Sequence, residues 1–249
     1  MQGELPFCYI DHVKNLLDIH CHSISSGHAY STIEENARAA SRKGLELLAI
    51  TDHAPAMPGS AHIYYFHNLR ILPAYMEGVR LLKGAELNIL DYRGSVDLDQ
   101  ECLSSLDFAI ASLHPPCIPF GSVRENTDAM IGAMENPYIH VIGHPGDSRY
   151  PFDIRDVVAA SKETGTLLEI NNSSLKPTSF RPGGDEILRK MIYQCLKMDV
   201  PLIMGSDAHV STDTGGFMEA ERLLNECGFP EERILNKSVK KFLHHTKID

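Results

Sequence analysis

Residues 18–31 read DIHCHSISSGHAYS. Histidines fall at 20, 22 and 28, directly after a short apolar run of Leu16, Leu17 and Ile19. Side chains alternate along a strand, so His20 and His22, two residues apart, project from one face and can share a metal ion. His28 lies in the loop that follows and can reach over the rim. A lone histidine at a strand end usually makes a structural hydrogen bond. The metal reading therefore depends on whether the pattern recurs.

It recurs. Short apolar runs follow at LELLAIT (45–51), VRLLKGAELNI (79–89), FAIASLH (108–114), HVIGH (140–144), TLLEINN (166–172) and VPLIMGSD (200–207). With LLDIH (16–20) they make seven segments, each short enough for a buried parallel strand. The second ends in Thr51-Asp52-His53, the third carries Glu86, the fourth ends at His114 and the fifth at His144. The seventh runs into Asp207 and His209. Only the sixth lacks a charged or imidazole group at its end, where it offers Asn171 and Asn172.

Helical patterns separate these runs. Thr32 to Lys43 opens on a cap at Ser31 or Thr32 and stops at Gly44. Asn126 to Met134, Asp153 to Thr164 and Asp185 to Met198 are similar. Strands alternating with helices predict a parallel α/β fold. An open sheet would spread the histidines along a line, whereas a closed barrel gathers all strand C-termini on one face, where such barrels carry their chemistry. The expected architecture is thus a distorted (βα)7, TIM-like barrel, one domain over residues 1–249, with a metal site at its C-terminal face.

The 249 residues are 43% hydrophobic and 22% charged, with a net charge of −10. The acidic balance and the lack of a basic groove argue against nucleic acid as a partner. The one dense basic run, Lys237 to Lys241, reads as the solvated face of a helix. No apolar stretch is long enough for a membrane span. Six cysteines, at 8, 21, 102, 117, 195 and 227, form no C-x-x-C pair and, without a signal peptide, read as reduced thiols of a cytoplasmic protein.

Other residues carry weaker signals. Asp18 and Asp52 precede ligand candidates and could orient their imidazoles, Asp18 the better because alternation points it the same way as His20. For phosphate, Arg70 in FHNLR is favoured, since arginine offers a bidentate fork; Lys176 and Arg181 follow the same logic more weakly. Asn171 could donate to a substrate oxygen. His62 and His67 flank an aromatic loop and could line a pocket. His12, His140, His244 and His245 have no such placement.

H-x-H after the first strand, T-D-H after the second, a glutamate in the third, single histidines after the fourth and fifth and a late D-x-H together resemble the polymerase-and-histidinol-phosphatase (PHP) metallo-phosphoesterases. HAYST, ITDHAP, FHNLRI, GHPG, LEINNSS and GSDAH are similar to its YcdX-like phosphatase branch. The resemblance covers nearly the whole chain and implies three divalent ions, zinc first, with manganese or iron as alternatives. It implies that His20, His22, Glu86 and Asp207 hold one ion and that Glu86 bridges to a second held by His114 and His144. His28, His53 and His209 would hold the third. Glu86, Asp207 and His209 are expected to be catalytic. The departures, Cys21 between the first two histidines and an N-terminal extension of about a dozen residues, leave this site intact.

Imidazole and carboxylate donors suit such ions, and the incomplete protein ligation leaves room for water and substrate. The expected reaction is hydrolysis of a small phosphomonoester, a phosphorylated metabolite, by a hydroxide bridging two ions, since metal lowers the pKa of bound water from ~15.7 towards ~7. The rivals are a phosphodiesterase or exonuclease, a histidinol phosphatase, a non-catalytic metal store, and an amide or lactone hydrolase. Self-association of the chain is left open by the sequence.

Overall fold

The computed structural model describes residues 14–248; Cys8, His12 and the N-terminal extension lie outside the described residues. The strands are β1 (Leu17–Asp18), β2 (Leu47–Ile50), β3 (Tyr75–Met76), β4 (Val79–Asn88), β5 (Phe108–Ser112), β6 (Val141–Ile142), β7 (Leu167–Asn171) and β8 (Leu202–Gly205). The helices are α1 (Ile33–Lys43), α2 (Ile63–Asn68), α3 (Gln100–Ser104), α4 (Val123–Met134), α5 (Ile154–Thr164), α6 (Asn172–Leu175), α7 (Gly184–Met198), α8 (Met218–Glu226) and α9 (Val239–Thr246). Strands run in the order β1-β2-β4-β5-β6-β7-β8, and every pair along this path is parallel. The sheet is an almost closed seven-stranded barrel, as the convergence of the histidines requires. The two-residue β3 pairs antiparallel with β4 outside this order.

Several strands are shorter than their apolar runs, most of all β1 and β6. Near the site, side chains take over the backbone donors. The Asp18 carboxylate accepts from His20 N at 3.3 Å and from Ser206 N at 3.1 Å. His144 N donates to Glu169 at 2.6 Å, with His144 turned into the left-handed region (φ 29°).

Closure between β1 and β8 is not a ladder. Above the strands, His22 N donates to Ala208 O at 2.9 Å and Asp207 N to His20 O at 2.9 Å. Below, the Asn236 side chain fills the seam. Its Nδ2 donates to Leu17 O (3.0 Å) and Met204 O (2.9 Å), and its Oδ1 accepts from Met204 N (2.7 Å). One carboxamide thus does the work of a short strand.

Alternation gives two apolar layers. Leu17, Ile19, Leu47, Ala49, Leu82, Phe108, Ile110, Val141, Leu167 and Ile203 fill the barrel, which Leu235 and Phe242 of the C-terminal segment plug from below. The larger cluster packs strands against the surrounding helices. Thr32 caps α1 in a reciprocal box with Glu35, and Gly44 ends the helix at φ 71°. α4 starts three residues earlier than its apolar pattern indicates, because Ser122 and Glu125 form a second capping box. Among the described residues no helix is long and apolar enough to cross a membrane.

Candidate metal centre

The C-terminal ends of the strands bring His20, His22, His53, Glu86, His114, His144 and Asp207 into one buried cluster. Glu86 lies at its middle. Its Oε2 is 3.4 Å from His20 Nε2, 3.5 Å from His22 Nε2 and 2.7 Å from His53 Nδ1. Its Oε1 is 3.3 Å from His114 Nε2 and 2.7 Å from His144 Nε2. Asp207 Oδ1 is 3.3 Å from His22 Nε2. Three groups bring their donor atoms within 4.8 Å of one another: His20 with His22 and Asp207, His53 with Glu86 and His114, and His22 with His53 and His209. His28 lies exposed on the rim, its ring 4.9 Å from those of His53 and His209.

The residues fit metal ions on a test independent of motif. His20 Nε2, His22 Nε2, His114 Nε2, Glu86 Oε2 and Asp207 Oδ1 are buried without any hydrogen bond. Buried polar atoms are rarely left so, and several pointing at one space call for an ion or water there. The opposite ring nitrogens are all held. His20 Nδ1 donates to Glu169 (2.8 Å), His22 Nδ1 to Ser26 Oγ (3.0 Å) and His114 Nδ1 to Asn88 Oδ1 (2.7 Å). Each partner fixes the proton on Nδ1 and turns the Nε2 lone pair inward, which is how protein positions a ligating imidazole.

Charge agrees. Burial alone would raise the Glu86 and Asp207 carboxyls, yet both are held well below their usual range. His20, His114 and His53 do this for Glu86, and His20 and Arg181 for Asp207. His22 is driven well below its usual value, first by burial and then by His209 and His53. His20 goes the other way. Burial opposes its charge, but Glu169, Glu86 and Asp207 outweigh burial. Three carboxylates thus surround this one ring. His144 (φ 29°) and Asp207 (φ 53°) both adopt left-handed backbone that non-glycine residues avoid, a strain typical of functional sites.

Other expected roles shift. Asp18 is directed not at the His20 ring but at backbone, taking Ser206 and Gly215 N–H groups and the Ser206 hydroxyl. Asp52 reaches His22 only through Ser26 Oγ, at 2.7 Å. The carboxylate on the His20 ring is Glu169, which sequence reading passed over. It is a charge inside the apolar run LLEIN, two residues before Asn171, and that placement was the available signal. Asn88 was likewise missed; Asp97 orients it through bonds of 2.8 and 2.6 Å. Asn171 is buried and donates to Glu169 and Asp207, so it braces the site rather than facing a ligand. Arg70 is exposed in a separate hollow with Tyr64, His67 and Asn68. His62 caps α2.

Above the cluster opens a cavity of about 570 Å³. His53, His114, Asp207 and His209 form its floor, and Met57, Pro115, Pro116 and Phe180 line its walls with Arg149 and Arg181. Arg181 is buried, its Nη1 2.9 Å from Asp207 Oδ2 and 3.1 Å from Ser174 Oγ.

Fold and site together define a parallel α/β barrel with a histidine-rich, two-carboxylate cluster, its donors placed to hold metal ions, at the C-terminal ends of its strands. The PHP domain family matches residues 18–173, and the chain belongs to that family. It is 49% identical over 236 residues to a protein of Thermoanaerobacter sp. strain X514 named "Probable phosphatase", covering 94% of this chain and 96% of that one. A second protein of that name, from Caldanaerobacter subterraneus, is 51% identical over 230 residues, 92% of this chain and 90% of its own. Among solved structures, the histidinol phosphate phosphatase of Lactococcus lactis, complexed with zinc, L-histidinol and phosphate, shares the fold. Its TM-score is 0.59 at 18% identity, covering 87% of this chain and 95% of that one.

Proposed function

We propose that the chain hydrolyses small phosphomonoesters at a trinuclear metal centre. That it is a metal-dependent phosphoester hydrolase rests on its PHP membership and on near full-length relatives named probable phosphatases. The observation that carries the finer reading is the set of inward-facing, unpaired Nε2 atoms whose Nδ1 atoms are all held.

His20, His22, Glu86 and Asp207 would hold one ion, Glu86, His114 and His144 a second, and His28, His53 and His209 a third. Zinc suits these donors, as do manganese and iron. When bound, such ions supply a water acidified to near neutrality and neutralise charge on phosphoryl oxygens. The chain's own residues do the rest. Glu86 lies between the first two groups and Asp207 stays ionised. Glu169, Ser26 and Asn88 keep their rings in the ligating tautomer. Arg181, with Nη1 tied to Asp207, keeps Nη2 and Nε for the substrate phosphate, the role expected from sequence of Arg70. Met57, Pro115, Pro116 and Phe180 would pack against the ester's leaving group. We read residues 1–249 as one catalytic domain.

The test compares p-nitrophenyl phosphate with bis-p-nitrophenyl phosphate, with and without chelator, for the native chain and for His114→Ala and His144→Ala. Chelator-sensitive preference for the monoester, lost in both variants, is expected. Preference for the diester, or retained turnover in both variants, overturns the reading.

A further inference from the structure

The cavity is far larger than a phosphate needs, and its second arginine is built with care. Arg149 lines the cavity, and among the described residues its hydrogen bonds run to Asp147 and not to the histidine cluster. Its Nε donates to Asp147 Oδ1 and Oδ2 at 2.9 and 3.1 Å, and its Nη2 to Oδ2 at 2.5 Å. Asp147 is itself buried. The guanidinium carbon stands 5.5 Å from the Phe120 ring and 5.9 Å from the Phe180 ring. Arg181 lies 4.9 Å over that same Phe180 ring.

An arginine that served solubility would need neither a buried carboxylate nor two rings. Here all three fix the fork, while Nη1 has no hydrogen-bond partner among the described residues. The Nη1–Nη2 edge therefore remains available, and that edge fits a carboxylate or phosphate bidentately. The nearby acid Asp213 is paired with Lys176 at 2.7 Å rather than with Arg149. Met57, Pro115 and Pro116 make the wall apolar. The arrangement reads as one anion by Arg181, which is tied to Asp207 of the cluster, and a second by Arg149 on the same Phe180 ring, in a cavity with apolar lining.

We propose that Arg149 is a specificity-determining residue that binds a second anionic group on the substrate. The natural ester would then be a phosphomonoester whose leaving group has an apolar body and a carboxylate or second phosphate. This rests on the phosphomonoesterase reading of the cavity floor.

The experiment measures kcat/KM for 4-carboxyphenyl phosphate against 4-methylphenyl phosphate, and calorimetric binding of 3-phosphonopropionate against propylphosphonate, on metal-loaded protein. The native chain should favour the doubly anionic member of each pair by about tenfold or more, the worth of one charge-assisted contact. In Arg149→Met the phosphonate binding ratio should fall to near one and the kcat/KM ratio should fall with it to the value set by the better carboxyphenolate leaving group, and Arg149→Lys should keep part of both. Since Arg149→Met leaves Asp147 buried without its partner, Asp147→Asn/Arg149→Met is measured beside it. Native ratios near one, or ratios unchanged in the variants, overturn the proposal while leaving monoester hydrolysis standing. If neither ester is hydrolysed but the phosphonate preference still depends on Arg149, the anion site stands and the phosphatase reading falls.

Discussion

At the scale of the residue, Glu169 decides how well the centre is held. One of its oxygens takes the His20 ring and the other takes His144 N. Gly205 makes room for it, since a Cβ at 205 would lie 1.8 Å from Glu169 Oε1. Replacing Glu169 by Gln keeps the volume but removes the charge that fixes the His20 proton. Partners of this type are worth about 10–100-fold in metal affinity. Metal content of Glu169→Gln after dialysis against graded chelator should fall accordingly, and Gly205→Ala, which must displace Glu169, should fall with it. Native metal retention in both would show that His20 needs no such anchor. The ligand candidates were legible because each is a rare residue type at the same place in successive units. Glu169 was not, because alternation gives a carboxylate's facing side but not whose ring it meets 149 residues away.

At the scale of the element, capping chemistry was partly legible and burial was not. Thr32 and Gly44 stand where the spacing puts them, whereas the apolar pattern of α4 begins a turn after its true cap at Ser122. Thr32→Ala removes one acceptor of a capping box and should cost about 1 kcal/mol, which for a chain of this size lowers Tm by about 2–4 °C. A drop within error would mean that Glu35 alone caps the helix. His140, at the entry to β6, looked unplaced in the sequence. Its Nδ1 accepts from Ala109 N at 3.2 Å and its ring stacks on Phe108. Burial depresses its pKa from 6.5 to about 4. A histidine depressed in the folded state stays neutral there while the unfolded chain protonates, so it costs nothing above pH 6.5. Stability is then lost progressively as pH falls from 6.5 to about 4, by roughly 3 kcal/mol at most. Urea unfolding at pH 7 and pH 4.5 should show a smaller difference for His140→Asn, which keeps an acceptor without the titration. An equal difference would assign the acid sensitivity elsewhere.

At the scale of the whole molecule, closure was legible and its seam was not. The demand that histidines from successive strands meet on one face excludes an open sheet. Nothing around Asn236, a short polar stretch 219 residues from Leu17, announces that its side chain joins β1 to β8. The barrel is therefore fastened at two levels. Below, there are three hydrogen bonds from one carboxamide. Above, there are His20 and His22 from the end of β1 and Asp207 from the end of β8, which ions would tie together. Ligands bound only by the folded chain add to its stability, and ligands spanning a weak junction add most where the junction is weakest. Chelation should lower the Tm of the native chain. Asn236→Ala strands buried backbone groups at about 1–3 kcal/mol each, and should lower Tm further. The two losses should not add. Asn236→Ala should cost more in the chelated protein than in the metal-loaded one, because the ions hold β1 against β8 from the other end. Four thermal scans, native and variant with and without metal, measure this coupling. Equal shifts in both states would mean that the ions do not share in closing the barrel and that the Asn236 seam and the backbone bonds between His20, His22, Asp207 and Ala208 carry closure.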